Sequence, residues 1–331
     1  MLPANKFMEN KGYWFFAHLP GTNVEVIDNR SPFPLRLFRR ILRIEFAQAF
    51  KALLRQDGYD VVLSHSFNSA FVFALLRSLM SRIGPPHYVI DVGSLNGGRN
   101  TPIQIAILKF TLRSVTGLIY HSTVNEEFYA KHFPKMKRKF VLLGENPDVY
   151  SPEHGEQPGG YALSIGHPTQ RDYDTLIRAW TRVEFPLKIV GSTSIDKKGL
   201  KNVELLPVVS ADELRRLIND SRFVILPIAN FRYSIGQTTL IQCMAMQKPV
   251  IVSLSFGVRD YCEHGKNCLT YECGNDSELA SEVNLLLRKP DLAQNIARSA
   301  RADVLSRFNE KKMAESILEF ITSTPANARG P

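Results

Sequence analysis

The segment Ser234–Val252 constrains the fold of this 331-residue chain more than any other stretch. It reads Ser-Ile-Gly-Gln-Thr-Thr-Leu-Ile-Gln-Cys-Met-Ala-Met-Gln-Lys-Pro-Val-Ile-Val, which predicts a glycine turn, one helix and a buried strand. Gly236 lets the backbone approach a ligand closely, and Thr238 or Thr239 is expected to cap the helix. Because the first amides of a helix attract phosphate, the segment predicts an anion site.

Short apolar strands alternate with helical patterns along the rest of the chain, which predicts doubly wound α/β sheets. The strands predicted in the first half are 24–28, 60–64, 87–91, 117–122 and 140–143, and those in the second half are 161–165, 187–190, 203–205, 223–226 and 250–253. A polar, Gly- and Pro-rich stretch at 155–160 predicts a boundary. We therefore expect an N-terminal domain at 1–155 and a C-terminal domain at 156–331.

Composition excludes several other classes of protein. The chain is 44% hydrophobic, yet its apolar runs are far shorter than the roughly 20 residues of a membrane span, so none is expected. The first residues lack a secretion signal, which predicts a cytoplasmic protein. Four cysteines, at 243, 262, 268 and 273, form no C-x-x-C pair, so reduced thiols are expected rather than a metal site.

Basic residues are concentrated in the first half, where residues 1–150 carry 19 Lys and Arg against 11 Asp and Glu. A helix predicted at 35–55 has an apolar stripe, and much of its remaining surface is basic through Arg36, Arg39, Arg40 and Arg43. Such a helix can lie on an anionic membrane surface, or it can be an ordinary helix with a solvated arginine face. No nucleic-acid-binding motif accompanies these charges, so nucleic acid is not an expected partner.

The 234–252 segment resembles the G-Q-T-T-L-x-E-A-M-A-x-G-K-P-V-I-V stretch of retaining GT-B glycosyltransferases of family 4, the glycosyl transferases group 1. The resemblance implies an α/β fold of two Rossmann-like domains facing across a cleft. Members commonly carry two glutamates eight residues apart, and these positions fall on Ser234 and Gln242 here. The usual first strand and its glycine loop are missing, because residues 4–17 already resemble the following helix. Either the N-terminal domain lacks that strand, or another arrangement replaces it.

A second segment predicts the place of a diphosphate. Gly166 follows a predicted strand, and Arg171 stands at the start of the next helix, where a cation can grip phosphate oxygens. By resemblance, Arg171 takes the position of the family's lysine and His167 lies near that of its arginine. The alternative is a surface ion pair of Arg171 with Asp172 or Asp174. Asp172-Tyr-Asp174 is interpreted as helix capping, and no metal is expected.

The same resemblance supplies the rest of the expected donor site. Gly191 lines the cleft, the backbone at Val208 or Val209 meets the base, and Gln242 points toward the ribose. The other residues expected to meet the phosphate and sugar are Ser234, Gly236, Gln237 and Thr238. A glutamine in place of the glutamate keeps hydrogen-bonding capacity toward hydroxyls but carries no charge.

Two residues at predicted strand ends are candidates for the acceptor side. Asp91 closes an apolar strand at a position where the family often has a histidine, and its carboxylate can accept or position an acceptor hydroxyl proton. His65, after the preceding strand, is the other candidate. Each can equally organise its own loop, since Asp and His commonly bond to local backbone.

These features predict a glycosyltransferase that moves a sugar from a nucleoside-diphosphate sugar to an acceptor hydroxyl, with retention implied by resemblance. Its expected partners are the nucleotide sugar and a lipid-linked or membrane-surface glycan, which would place the protein on the inner face of the membrane. No cofactor is expected. One alternative is a non-catalytic protein of this fold that binds a nucleotide, a glycan or a partner protein. Another is a sugar-nucleotide epimerase.

Overall fold

The structure is a computed structural model that describes residues 14–27, 46–80, 84–93, 95, 101–152, 159–231 and 233–323. These residues form two compact units, each containing one parallel sheet. The N-terminal unit takes in Leu19–Val141, residues 233–234 and the last helix from Glu315 onward. The C-terminal unit takes in residues 14–18, Leu142–Phe231 and Ile235–Ala314. Whether the predicted limits 1–155 and 156–331 mark independently folding domains stays a prediction.

The sheet of the N-terminal unit has four described strands in the order β1-β2-β3-β4, all parallel. They are β1 Val62–His65, β2 His87–Asp91, β3 Gly117–Tyr120 and β4 Lys137–Phe140. Its helices are α1 Phe46–Arg55, α2 Phe67–Leu79, α3 Pro102–Thr111 and α4 Val124–His132. Thr101 starts α3 with a capping box in which its hydroxyl accepts from the Gln104 amide, and Pro102 occupies the first helical position.

The sheet of the C-terminal unit has six parallel strands in the order β10-β9-β8-β5-β6-β7. They are β5 Ala162–Ile165, β6 Leu187–Val190, β7 Val203–Leu206, β8 Phe223–Leu226, β9 Val250–Ser253 and β10 Leu269–Tyr271. Numbered within this unit and counted from the edge strand β7, the strand order is 3-2-1-4-5-6, which is the order of the Rossmann fold. The order therefore reverses between β5 and β8, where such folds bind ligands.

The remaining helices belong to the C-terminal unit, except that the last of them passes into the N-terminal unit from Glu315 onward. They are α5 Tyr173–Trp180, α6 Ala211–Asn219, α7 Gln237–Ala245, α8 Asp276–Arg288, α9 Pro290–Ser306 and α10 Glu310–Ser323. Trp180 is fully buried in the core between α5, α8 and the sheet, and its indole Nε1 donates to the Phe185 carbonyl at 2.8 Å. A buried tryptophan whose one donor is satisfied adds apolar burial without leaving a polar group unpaired.

Several predictions about secondary structure were wrong. Val24–Ile27 forms no strand, and none of the described residues before Val62 belongs to one. The strand predicted at 140–143 lies instead at Lys137–Phe140. Its position was missed because its first three residues are charged and its side chains remain partly exposed, so it lacks the apolar pattern of a buried strand. The short strand β10 and the helix α10 were not predicted. Of the predicted basic helix 35–55, only Phe46–Arg55 is described, so its four arginines lie outside the described residues.

No helix among the described residues is both long and apolar enough to cross a membrane.

Candidate functional site

Two glycines lie side by side at the carboxyl edge of the second sheet, next to the point where the strand order reverses. Gly166 follows β5 with φ 140°, and Gly191 follows β6 with φ 121°. A Cβ atom on Gly191 would lie 2.6 Å from the Gly166 carbonyl oxygen, and one on Gly166 would lie 2.5 Å from Nε of Arg171. Both positions therefore require glycine, for backbone conformation and because neighbouring protein atoms fill the space that a Cβ would take.

Arg171 brings a buried positive charge to this edge. Its side chain is only 6% exposed, and its Nε donates to the Ile165 carbonyl at 2.8 Å while Nη1 donates to the Gln170 carbonyl at 3.3 Å. Burial lowers the pKa of the guanidinium. Within the described part of the chain no carboxylate forms an ion pair with this guanidinium. Its hydrogen bonds go to neutral backbone carbonyls.

The alternative interpretation, in which Arg171 forms an ion pair with Asp172, is therefore wrong. Asp172 caps α5 instead, where it accepts from the Thr175 amide at 3.0 Å and the Thr175 hydroxyl at 2.6 Å. This contact confirms that the Asp172-Tyr-Asp174 sequence starts a helix.

Arg171 and Gly236 share one neighbour, Ile228, just beyond β8. Residue 171 forms an antiparallel bridge with residue 228, and the Asp172 amide donates to the Pro227 carbonyl at 2.7 Å. A Cβ on Gly236 would lie 2.3 Å from the Cδ1 atom of Ile228. The structure thus brings Gly166, Gly191, Arg171 and the Gly236 turn to the same edge of one sheet.

The helix after this turn starts without a side-chain cap. Gly236, with φ 89°, is the N-cap of α7, so the predicted cap at Thr238 or Thr239 was wrong: both lie inside the first turn. Gln237 is buried, and Thr238 is exposed. The backbone N–H groups of a first turn without a side-chain acceptor suit an anion.

The Gln242 side chain, farther along α7, contacts a carboxyl group that sequence reasoning missed. Its Nε2 donates to Oε2 of Glu145 at 3.3 Å. Burial raises the pKa of Glu145 to about 8, and the nearby Glu310 adds to the rise while the bond from Gln242 opposes it. In the sequence, Glu145 is only an acidic residue after a glycine, with no motif around it that indicates a binding site.

Two further donor-site candidates lie near the edge of the sheet but show less specific contacts. His167 is exposed, and its Nδ1 accepts from the Thr169 amide at 3.3 Å, so it caps the short 3-10 turn Pro168–Gln170. Val208 follows β7 and is 79% exposed. Ser234 belongs to the N-terminal unit, where a Cβ on Gly93 would lie 3.2 Å from its carbonyl oxygen.

The acceptor-side candidates end adjacent strands of the first sheet. Asp91 ends β2, is fully buried, and accepts from the Tyr129 hydroxyl at 2.5 Å and the Leu95 amide at 3.3 Å. These bonds fit its alternative role as a loop-organising residue. His65 ends β1, and its pKa is lowered to about 4 by burial and by nearby His121.

His121, which follows β3, was not predicted. Its Nδ1 donates to the Val141 carbonyl at 2.7 Å, and burial lowers its pKa to about 4, so its ring is neutral near pH 7. Because β1, β2 and β3 are parallel neighbours, His65, Asp91 and His121 line one edge of this sheet.

Comparison with known proteins agrees with this arrangement. Residues 160–289 match the family model described as Glycosyl transferases group 1. HepE from Anabaena, solved in complex with UDP, is 18% identical with a TM-score of 0.70, over 84% of this chain and 82% of that one. Sucrose-phosphate synthase from Thermosynechococcus elongatus is 16% identical with a TM-score of 0.69, over 92% and 86%.

A glycosyltransferase from Rickettsia africae is 17% identical with a TM-score of 0.68, over 92% of this chain and 85% of that chain. No curated protein matches the chain. The structural likeness confirms the predicted fold class, an α/β fold with parallel sheets in two Rossmann-like domains of the GT-B type.

Proposed function

We propose that the protein is a glycosyltransferase that transfers a sugar from a nucleoside-diphosphate sugar to an acceptor hydroxyl. The observation that carries the proposal is Arg171, a buried guanidinium held by backbone carbonyls beside Gly166. A cation at this edge of a Rossmann sheet compensates the negative charge that develops on a departing nucleoside diphosphate. The match of residues 160–289 to the group 1 glycosyltransferases supports the same chemistry.

The phosphates of the donor would lie between Arg171 and the first turn of α7. The backbone at Gly166 and Gly191 lines this place, and the first backbone amides after Gly236 bond to the diphosphate oxygens. The ribose then falls toward Gln242. We propose retention of anomeric configuration, as the resemblance to family 4 implies, with a diphosphate oxygen receiving the proton of the attacking hydroxyl. No metal ion enters this scheme.

For the acceptor we propose a lipid-linked or membrane-surface glycan. The basic first half supports it, since anionic membranes attract clustered Lys and Arg. Replacing Arg36, Arg39, Arg40 and Arg43 with glutamine should weaken binding to phosphatidylserine vesicles in a sedimentation assay. Unchanged vesicle binding would make that segment an ordinary surface.

A first experiment is a thermal-shift panel of UDP, GDP, ADP and TDP with their common sugars. A ligand at about 100 times its dissociation constant adds about 2.7 kcal/mol of stability. UDP heads the panel because HepE was solved with it. A shift with one nucleoside diphosphate supports the proposal, and the absence of any shift in folded protein contradicts it.

Release of free nucleoside diphosphate separates the enzyme from the non-catalytic alternative. That alternative is favoured by one observation: Ser234 and Gln242 occupy positions where related enzymes commonly have glutamates. Turnover of the shifting nucleotide sugar, with an acceptor or by hydrolysis, supports the transferase. Tight binding with no release over many hours supports a binding protein.

A further inference from the structure

The turn that carries Glu145 is fixed on the C-terminal unit by its backbone. The Glu145 amide donates to the Phe308 carbonyl at 3.0 Å, and the Glu145 carbonyl accepts from the Glu310 amide at 3.3 Å. Gly144 packs so closely that a Cβ there would lie 2.2 Å from the Asn309 carbonyl oxygen. The backbone of Glu145 is therefore held in place by the junction between α9 and α10.

A single arginine fastens the same turn to the end of α7. Nη1 of Arg301 donates to the Pro147 carbonyl at 3.2 Å and to the Tyr150 carbonyl at 2.9 Å, and it also donates to the Ala245 carbonyl. Ala245 is the last residue of α7. The turn thus runs alongside the helix that starts at the phosphate site, which brings the Glu145 carboxyl to Gln242.

The groups around the Glu145 carboxyl come from four segments. Gln242 of α7 donates to it, and Glu310 of α10 raises its pKa through like charge. Glu310 itself contacts Asn146 and lies 3.3 Å from Nε2 of His18. Tyr150 is close enough that Glu145 helps to raise the pKa of its hydroxyl to about 12. Apart from His18, which pairs with Glu310, none of these neighbours brings a positive charge.

An acidic side chain in such a place is costly when only packing is required. Burying a carboxyl without a cationic partner destabilises the fold, and an apolar side chain of similar size would avoid this loss. Perturbed carboxyls of this kind cluster at functional sites.

We propose that Glu145 is a positioning residue of the donor site, which holds the Gln242 amide so that its carbonyl oxygen is presented to the ribose diol of the nucleotide. This inference rests on the proposed function. A primary amide can present either its NH₂ or its oxygen in a given direction. Because an oxygen of Glu145 accepts from Nε2, Oε1 of Gln242 is turned away from Glu145 and is left to accept a ribose hydroxyl.

The pair also predicts how nucleotide binding responds to pH. A bound nucleoside diphosphate excludes water and adds negative charge, and both effects disfavour the ionised form of a nearby carboxyl. Affinity should therefore be highest where Glu145 is protonated and should fall as pH rises through about 8. Replacing Glu310 with glutamine removes the like charge and should move this fall to lower pH.

The test is titration calorimetry of UDP, GDP and ADP, their 2′-deoxy forms and inorganic diphosphate, on wild type, Glu145→Leu and Glu145→Gln between pH 6.5 and 9.5. Loss of one oriented hydrogen bond predicts about fivefold to tenfold weaker binding of the preferred ribonucleotide to Glu145→Leu. Binding of its 2′-deoxy form and of diphosphate should change less than twofold. Glu145→Gln should bind as wild type does at pH 7 and lose the pH dependence.

Glu282→Gln is the matched control, since Glu282 is another partly buried glutamate of this unit with a raised pKa, and it should leave every value unchanged. An unaltered preference for ribose over deoxyribose in folded Glu145→Leu, or a pH profile that Glu145→Gln retains, would overturn the inference. If wild type binds diphosphate and no nucleotide, the proposed function fails first, and the role of Glu145 fails with it.

Discussion

The carboxyl edges of the two sheets differ in how their charged groups are engaged. At the edge of the second sheet, Arg171 is held only by carbonyl oxygens, so its charge stays uncompensated by the described residues. At the edge of the first sheet, Asp91 is bonded by the Tyr129 hydroxyl and the Leu95 amide. Neutral groups hold the charge at both edges, but the charge is positive at the second edge and negative at the first. Because phosphate is an anion, the comparison favours the second edge for the diphosphate site that we propose.

Arg171→Ala is the strongest test of this comparison. Hydrogen bonds to a charged group contribute about 1.5–3 kcal/mol, so affinity for the preferred nucleoside diphosphate should fall about tenfold to a hundredfold. The measurement is titration calorimetry at pH 7. Arg178→Ala is the control, because Arg178 lies on the next helix and is already paired with Asp276 at 3.4 Å. Equal affinities of wild type and Arg171→Ala would remove the arginine from the site.

Gly191→Ala should come next in size, as a loss of stability. Its new Cβ would meet the Gly166 carbonyl oxygen at 2.6 Å in a backbone conformation with φ 121°, which we expect to cost about 1–3 kcal/mol. Gly199→Ala provides the control, since φ there is also positive, at 75°, but nothing lies within 4 Å. Urea unfolding measures both. If the two variants lose the same free energy of unfolding, backbone strain alone explains the glycine at 191, and the close approach of the Gly166 carbonyl does not.

Glu145→Gln should stabilise the protein in alkaline solution and not in acid. Because the pKa of Glu145 is raised to about 8, its half-buried carboxylic acid favours the folded state at low pH, and that contribution is lost between about pH 4.5 and 8. Glutamine has no such loss. The variant should therefore gain stability over wild type at pH 9 relative to pH 4.5, as measured by urea unfolding. A gain that is equal at both pH values would point to packing.

Asp91→Asn should have the smallest effect on binding. The bond from Tyr129 to a neutral amide remains possible, so stability should fall by about 1 kcal/mol, while nucleotide affinity should change less than twofold. Thermal unfolding and calorimetry measure the two quantities. A tenfold loss of nucleotide affinity in folded Asp91→Asn would mean that both edges serve the donor, which would break the comparison.

The second sheet was largely predictable because its local and global preferences agree. Strands Leu187–Val190 and Phe223–Leu226 have the predicted limits. Both strands are short, mostly apolar and β-branched runs next to Pro or Gly, as buried parallel strands are, and Ser210 accepts from the Glu213 amide as a standard helix cap.

The parts that sequence reasoning missed depend on contacts between distant residues. Glu145 and Gln242 are 97 positions apart, so nothing local shows that they meet. His121 was hidden because the predicted strand ran to Ser122, whereas β3 ends at Tyr120. Gly166, Gly191 and Arg171 lie together because they follow the adjacent parallel strands β5 and β6, and a sequence motif can indicate such an arrangement. The bonds that hold the Arg171 guanidinium could be found only in the structure.

The charged residues of β4 have a consequence for how copies of the protein meet. Among the described strands, β4 forms one border of its sheet, so its backbone could pair with a strand of another molecule. Lys137, Arg138 and Lys139 run along it, and Arg138 bonds to Glu126 at 2.7 Å. Like charges brought together by such pairing repel each other. The three basic residues that made β4 hard to predict from the sequence therefore also disfavour its pairing with the same strand of another molecule.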